Sequence, residues 1–179
     1  MEIKVPFFNI VNIFLPGMML IGSCVLLFLD EVKALVARVA GIGSAGLEVV
    51  ITVSLFAIAY EAGYIIFRLG SLLIEPILKK LFGWAEYGDF IKAGKTGGKA
   101  YDKLEMYSRE YGFARTQIML FIILTALTAI QAQWWLAAIG VVSIGLFVLT
   151  ARGHMKRLRQ AVSLYLAPSN AESGESSNG

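Results

Sequence analysis

The stretch that decides the fold runs from Thr116 to Ala151 and reads TQIMLFIILTALTAIQAQWWLAAIGVVSIGLFVLTA. Its 36 residues include no charged side chain. As a single α-helix it would be roughly 54 Å long at 1.5 Å per residue, whereas the hydrocarbon core of a bilayer is about 30 Å thick. The polar segment 131–133 lies near its middle and is followed by Trp134 and Trp135. We therefore expect a helical hairpin that crosses a membrane twice and turns at these residues.

The rest of the chain is also too apolar for a soluble domain. Hydrophobic residues make up 57% of its 179 residues and charged residues only 16%, against about 45–50% and about a quarter in soluble domains. Two further apolar stretches, residues 7–29 and 49–73, are long enough to cross a bilayer. The sequence therefore predicts an all-α fold, a polytopic integral membrane protein with four transmembrane helices and cytoplasmic helical extensions.

The positions of lysine and arginine predict how these four spans are oriented. Four crossings place residues 1–6, residues 74–115 and the C-terminal segment on one side of the membrane. That side, with Arg68 at its border, holds fourteen of the sixteen basic residues, and the opposite side holds only Lys33 and Arg38. Because basic residues are retained on the cytoplasmic face, we expect both termini in the cytoplasm and the protein in a plasma (inner) membrane.

The segments between the spans have helical patterns of their own. Residues 30–48 are expected to form an amphipathic outer loop, and residues 74–115 a cytoplasmic helical region. Residues 152–167 predict a basic amphipathic helix that Pro168 ends, followed by a disordered tail over residues 168–179. The apolar faces of the cytoplasmic helices must be covered, by each other or by sister subunits. They carry Leu72, Leu78, Leu104, Tyr107, Tyr111, Leu158, Val162 and Tyr165.

A polar seam is expected along the second span. Glu61, Arg68 and Glu75 recur every seven residues, within about 40° of one face of an ideal helix, and Tyr64 and Ser71 lie beside them. An ionised carboxylate near the bilayer midplane costs at least about 2.5 kcal/mol, so Glu61 should be protonated, face water or have a partner. The seam is then an ion or proton path, or polar glue between helices. Candidate partners are a residue of another subunit or the helix-interface residues Asn9, Asn12, Thr125 and Thr128.

Basic residues near the cytoplasmic ends of the spans are candidates for contact with anionic lipid headgroups. They are Lys79, Lys80, Arg152, Lys156, Arg157 and Arg159. His154 lies among them, and its neighbours in the sequence offer it no carboxylate partner. Nucleic-acid binding is not expected, because residues 68–115 contain nine basic and six acidic residues, too small an excess of positive charge for a phosphate footprint.

No motif in the chain predicts catalysis, a cofactor or a metal site. The glycine-rich segment 41–46 matches a dinucleotide-binding fingerprint only in its letters, since that motif requires a preceding strand in a βαβ unit. Segment 88–96 has five residues between its glycines where a phosphate-binding loop has four. Cys24 is the only cysteine and His154 the only histidine, so the ligands of a zinc or iron site are missing. We expect neither enzymatic activity nor a bound cofactor.

Two functions fit these features. The first is a homo-oligomeric ion channel or pore, controlled from its cytoplasmic helices, in which Glu61 and Arg68 face a water-filled path. It accounts for charged residues inside an apolar span. The alternative is a membrane-anchored scaffold or accessory subunit that binds a cytoplasmic protein and has no pore. Membrane lipids are expected partners in both cases, and the sequence favours the channel.

Overall fold

The computed structural model describes residues 7–40, 45–83, 92 and 99–172 of the chain. Every regular element in these ranges is helical, which confirms the predicted all-α fold. The helices are α1 (Phe7–Leu27), α2 (Leu29–Ala40), α3 (Ala45–Leu69), α4 (Glu75–Phe82), α5 (Lys99–Ile130) and α6 (Trp134–Glu172). A π-helical segment, Gly70–Ile74, joins α3 to α4, and we call the continuous helix Ala45–Phe82 the α3–α4 rod.

Four of the described helical stretches are long and apolar enough to cross a membrane. They are Ile10–Leu27, Gly46–Phe82, Asp102–Ile130 and Trp134–Leu164. The short helix α2 lies between the first two and is amphipathic, with Asp30 and Glu31 in its first turn and Arg38 in its last. Those charges complement the helix dipole, which is positive at the N-terminus and negative at the C-terminus.

The hairpin turn between α5 and α6 lies within the segment that the sequence predicts. Ala132 has a φ of 55°, in the left-handed region. The N–H of Ala132 donates to the carbonyl of Ala129 at 3.0 Å, and that of Gln133 donates to the carbonyl of Thr128 at 2.9 Å. Two bonds with these spacings form a Schellman motif, which satisfies the carbonyls left open at a helix C-terminus. The Gln133 carbonyl then accepts the first backbone bonds of α6.

Helix α1 crosses α3 at two buried glycines. A Cβ atom on Gly17 would collide with the carbonyl oxygen of Ala59, and one on Gly63 with that of Ile13. Ala59 and Gly63 are four residues apart, the small-xxx-small spacing that lets two helix backbones approach closely. Backbone contact between the two helices, with no intervening side chain, therefore defines this crossing.

The hydrophobic core lies where the α3–α4 rod packs against α5 and α6, towards the predicted cytoplasmic side. Its buried members include Ile66, Ile74, Leu78, Tyr111, Ala114, Ile118, Leu120, Ala151 and Met155. The outer half of α3 lies beyond this core, and every residue from Glu48 to Ile58 is exposed. The α3–α4 rod is therefore packed over its inner half and open over its outer half.

The predicted cytoplasmic helices cover most of their apolar faces with one another. The side chains of Leu78, Leu104, Tyr111, Leu158 and Val162 are each at most 4% exposed. Leu72 departs from the prediction and is 70% exposed. Leu72 precedes the buried Leu78 by six residues, which places the two side chains about 120° apart around a helix, so they do not share a face.

Two helices extend beyond their predicted bounds. Helix α3 begins at Ala45, inside the predicted outer loop and four residues before the predicted second span, which starts at residue 49. Helix α6 continues past Pro168 to Glu172, so residues 168–172 are helical rather than part of a disordered tail. A proline inside a helix removes one backbone hydrogen bond and crowds the carbonyl four residues earlier, which can kink a helix without ending it. The rest of the predicted tail, 173–179, and the N-terminal segment 1–6 lie outside the described residues.

Candidate functional site

The middle of α3 presents two charged residues on its exposed side. Ile58, Glu61, Ile65 and Arg68 are spaced by three or four residues, so they lie along one side of the helix, and all four are exposed. We call these four residues the exposed α3 face. Ile58 and Ile65 are each 56% exposed. This face thus combines lipid-compatible side chains with two charges on a helix apolar enough to cross a membrane.

Arg68 is oriented by Tyr64, one turn earlier on the same helix. The Arg68 guanidinium donates from Nε and Nη2 to the Tyr64 hydroxyl, at 2.9 and 2.6 Å. The same guanidinium lies 5.1 Å from the centre of the Tyr64 ring, within the range of a cation–π interaction. These contacts hold Arg68 against its own helix and leave it exposed.

Glu61 makes no hydrogen bond or ion pair with the rest of the described chain. The predicted partners within the chain do not supply one. The hydroxyls of Thr125 and Thr128 donate to carbonyls of their own helix, α5, and the side chain of Asn9 lies outside the described residues. Asn12 is buried in a different cluster, beside Glu75. Of the partners that the sequence suggests, a residue of another subunit and Asn9 are therefore still open.

The predicted continuous seam from Glu61 to Glu75 is divided into two sites. The π-helical segment Gly70–Ile74 lies between Arg68 and Glu75, and its geometry breaks the regular seven-residue spacing. Glu75 consequently faces α5, where its carboxylate forms an ion pair with Arg115. Ser71, in the same segment, donates its hydroxyl to the Phe67 carbonyl at 3.2 Å. The outer site contains Glu61, Tyr64 and Arg68, and the inner site contains Glu75.

The inner site is built around Arg115, which ends the uncharged hairpin at its N-terminal side. The Arg115 side chain is only 9% exposed. Its guanidinium lies 5.1 Å from the centre of the Phe67 ring and 6.0 Å from that of Tyr111. The Glu75 carboxylate also accepts from Lys79 Nζ at 2.6 Å. Two cations therefore share one carboxylate at the junction of the α3–α4 rod and α5.

Polar atoms remain unsatisfied around this ion pair. A cleft of about 270 Å³ is lined by Asn12, Glu75, Tyr111, Arg115 and their neighbours. Asn12 Oδ1 and Arg115 Nε are buried and have no hydrogen-bond partner within the described structure. Buried polar atoms of this kind are usually satisfied by ordered water, and the cleft is large enough to hold several molecules. We call Asn12, Glu75, Tyr111 and Arg115 the inner cluster.

His154 has a carboxylate partner that the sequence analysis failed to find. Its Nδ1 lies 3.0 Å from Oε2 of Glu110 on the neighbouring helix α5. The prediction considered only the sequence neighbours of His154, whereas the antiparallel hairpin brings residues 44 positions apart into contact. Glu110 precedes the hairpin turn by about as many residues as His154 follows it. This register could have indicated the pair.

The candidate lipid-binding residues do not share one environment. Lys80, Arg152, Lys156, Arg157 and Arg159 are exposed. Lys79 is instead half-buried, with a side chain 39% exposed and paired with Glu75. Lys79 therefore belongs with the inner cluster, and the other five remain candidates for contact with headgroups.

Sequence reasoning also missed Arg115 as a site residue. Arg115 was counted only as one of the basic residues that predict the orientation of the spans. The available signal is its position, because an arginine directly beside an uncharged stretch is costly in the apolar layer and either pairs with another group or extends to the interface. Gly17 and Gly63 were missed as a pair as well, although Ala59 and Gly63 have the spacing of a close helix contact.

No family model, curated protein or solved structure matches this chain. The functional argument therefore rests on the residues and contacts described above.

Proposed function

We propose that this protein is an integral membrane protein that self-associates through the exposed α3 face and forms an ion-conducting channel or pore. One observation carries the proposal. Glu61 and Arg68 are exposed along one side of a helix apolar enough to cross a membrane, and Glu61 has no partner in the described part of the chain. The strong asymmetry of basic residues supports a plasma (inner) membrane location with both termini in the cytoplasm.

The depth of Glu61 makes contact with lipid costly. Counted from Val49, where the predicted span begins, Glu61 lies about 18 Å along the helix, near the middle of a hydrocarbon core about 30 Å thick. A charged side chain at that depth costs at least about 2.5 kcal/mol by insertion scales. Arg68 lies about 10 Å further along the axis, at the cytoplasmic edge. If the exposed α3 face is turned towards sister subunits and water, Glu61 avoids this cost. Contact with lipid would leave the cost in place.

A ring of Glu61 carboxylates gives such an assembly its ion preference. Rings of acidic side chains favour cations in a pore, and rings of basic side chains favour anions. Arg68 is held to Tyr64 by two hydrogen bonds, so its charge stays against the helix wall at the cytoplasmic end. Glu61 is therefore the residue that we expect to select for cations.

The inner cluster offers a route for control from the cytoplasmic helices. The ion pair between Glu75 and Arg115 joins the α3–α4 rod directly to α5. The same rod carries Glu61, with the π-helical segment in between. Because π-helical turns are found at functional sites, a shift of α5 against α4 is expected to reach the exposed α3 face through Gly70–Ile74.

A membrane-anchored scaffold or accessory subunit is the second candidate. Four large apolar side chains on the described parts of the predicted cytoplasmic helices remain exposed: Ile77 at 55%, Leu81 at 65%, Met106 at 45% and Leu164 at 71%. These side chains are available to a cytoplasmic partner protein. Against this, most of the apolar faces of these helices already cover one another, which leaves less surface for a partner than the sequence suggests.

The proposal is tested by reconstituting the full chain into liposomes and measuring ion flux and reversal potential across a KCl gradient. Particle mass in nanodiscs gives the subunit number in parallel. We expect a ring-shaped oligomer that prefers cations, and we expect Glu61→Gln to remove most of that preference because it removes the charge and keeps the shape. A monomer, or an oligomer without flux, would contradict the channel.

The matched control is Glu31→Gln on α2, which removes one exposed carboxylate outside the predicted spans. Its reversal potential should equal that of the unaltered chain. If Glu61→Gln instead leaves flux unchanged and weakens the oligomer, Glu61 is polar glue between helices and the scaffold is the better description.

A further inference from the structure

A basic cleft of about 610 Å³ lies between the end of α4 and the part of α6 beyond the uncharged hairpin. Leu81 and Phe82 of α4 form one side of the cleft. The other side is a row on α6, where Arg152, Lys156 and Arg159 follow one another at intervals of four and three residues. This spacing places all three cations on one face of the helix.

Two of the three cations are held in place by α4. The Arg152 guanidinium lies 5.6 Å from the centre of the Phe82 ring, within cation–π range. Arg159 Nη1 donates to the Phe82 carbonyl oxygen at 3.4 Å. Lys156 lies between them and is exposed. Contacts with α4 therefore position two of the three charges, and helical spacing places Lys156 between them.

No carboxylate neutralises this arrangement within the described structure. The described residues that line the cleft include no aspartate or glutamate, and none of the three cations forms an ion pair with one. Other basic residues are paired, as Arg115 is with Glu75 and Arg109 with Glu105. Three neighbouring cations with no counter-charge in the described part of the chain attract an anion, and arginine and lysine are the residues that bind phosphate oxygens.

The position of the cleft indicates that the anion it attracts is the phosphate of a lipid headgroup. Arg152 immediately follows the uncharged stretch that ends at Ala151, so the cleft lies at the predicted level of the cytoplasmic headgroups. Leu81, at its rim, is 65% exposed and offers an apolar surface next to the charges. We propose that this cleft binds one anionic phospholipid, with the headgroup phosphate between Arg152, Lys156 and Arg159 and an acyl chain passing along Leu81. This site does not depend on whether the protein conducts ions.

The test is native mass spectrometry of the full chain in detergent, titrated with phosphatidylglycerol and, separately, with phosphatidylcholine. We expect one phosphatidylglycerol to be retained per chain, and phosphatidylcholine to be retained more weakly because its headgroup carries no net charge. Each basic residue near such a headgroup is worth about 1 kcal/mol, so Lys156→Gln should weaken phosphatidylglycerol binding about fivefold. Removing Arg152, Lys156 and Arg159 together should weaken it about a hundredfold.

Arg157→Gln is the matched control. Arg157 is adjacent in sequence, equally basic and exposed, but it lines a different groove beside Lys103 and Tyr107. Its loss should weaken binding about twofold or less, as a general effect of surface charge. If Arg157→Gln and Lys156→Gln weaken binding equally, attraction is diffuse and no site exists. Equal retention of the two lipids would also overturn the proposal.

A titration with inorganic phosphate distinguishes a lipid headgroup from a free phosphate ion as the ligand of the cleft. If it binds the lipid-free protein with Lys156-dependent affinity and phosphatidylglycerol does not displace it, the cleft takes a free phosphate and the lipid assignment is wrong. If phosphatidylglycerol displaces it, the lipid is the ligand. Lys156→Gln should have the same melting temperature as the unaltered chain, because substitutions at exposed positions seldom change stability. A loss of lipid binding in this variant then cannot be attributed to unfolding.

Discussion

Gly17 and Gly63 face each other where α1 crosses α3, and neither position has room for a methyl group. A Cβ at either residue would collide with a carbonyl oxygen of the opposite helix, that of Ala59 or of Ile13. Because each obstacle is backbone, no side-chain rotation relieves the clash, and the helices would have to separate. The crossing therefore depends on glycine at both positions.

Gly63→Ala should lower the free energy of unfolding by about 3 kcal/mol or more, the upper range for overpacking, because the helices must move apart. Gly145→Ala on α6 is the control, since a Cβ there meets nothing within 4 Å. It should be neutral or stabilising by about 0.5–1 kcal/mol, because alanine favours a helix interior over glycine. Thermal unfolding in detergent measures both. Equal melting temperatures for the two variants would refute the close crossing.

Arg115→Ala should destabilise the protein by about 3 kcal/mol, because it leaves the half-buried Glu75 carboxylate without its nearly buried partner. The effect on unfolding should be far larger than that of Arg109→Ala, whose ion pair with Glu105 is about 35–42% exposed. Exposed pairs of this kind contribute at most about 1 kcal/mol. A double variant, Glu75→Leu with Arg115→Met, should recover part of the loss, because the nearly buried ion pair is removed whole and Lys79, with a side chain 39% exposed, remains in contact with water. No recovery would show that the packing of Arg115 between Phe67 and Tyr111 matters more than its charge.

Ala132→Gly should stabilise the hairpin by about 0.5–1 kcal/mol. Ala132 occupies the left-handed position of the Schellman motif with a φ of 55°, where glycine avoids the steric cost that a Cβ imposes. The expected readout is a higher melting temperature with unchanged helical circular dichroism. Ala138→Gly, within helix α6, is the control and should be destabilising, because glycine is disfavoured inside a helix. A lower melting temperature for Ala132→Gly would show that the turn is not left-handed.

Tyr64→Phe should release Arg68 without removing the aromatic ring beneath it. The substitution deletes the oxygen that accepts both Arg68 hydrogen bonds. In the proposed channel we expect weaker cation preference, because a freed guanidinium can extend into the path and repel cations. Reversal potentials across a KCl gradient measure the change. Tyr60→Phe on the same helix is the control and should leave the potential unchanged, and an equal effect of the two variants would count against a role for the Arg68–Tyr64 contact.

The predicted orientation can be measured with a membrane-impermeant maleimide. Cys24→Ser removes the only cysteine, and single cysteines then replace Lys33 on α2 or Lys103 on α5, both of which are exposed. In intact cells we expect labelling at position 33 and none at position 103 until the membrane is opened. Labelling of both positions in intact cells would contradict a cytoplasmic location for α5.

The helices and the hairpin of this fold were predictable because they follow from composition and periodicity. An uncharged stretch of 36 residues with polar residues at its centre indicates a hairpin on length alone. The amphipathic helix α2 and the helical region that begins at Lys99 follow from spacing in the same way. Each of these inferences uses only the local sequence and the thickness of a membrane.

The arrangement of Glu61, Arg68 and Glu75 was predicted only in part. Their seven-residue spacing indicates one face if the helix is regular, and that holds for Glu61 and Arg68, which are both exposed. It does not hold for Glu75, because the π-helical segment Gly70–Ile74 intervenes. A π-helical turn survives only where packing against neighbours compensates for its poorer geometry, as Gly70 does by lying against the Arg115 backbone.

The sequence by itself determined the helical class, the four apolar stretches and the asymmetry of basic charge, because each depends on how a residue and its near neighbours interact with water or lipid. The tertiary structure alone decided that Arg115 pairs with Glu75, that His154 meets Glu110, and that Arg152, Lys156 and Arg159 face α4. Those contacts join residues from different helices. They depend on the register in which the helices pack. The hairpin turn at Ala132 sets the register of α5 against α6, and Gly17 and Gly63 set that of α1 against α3.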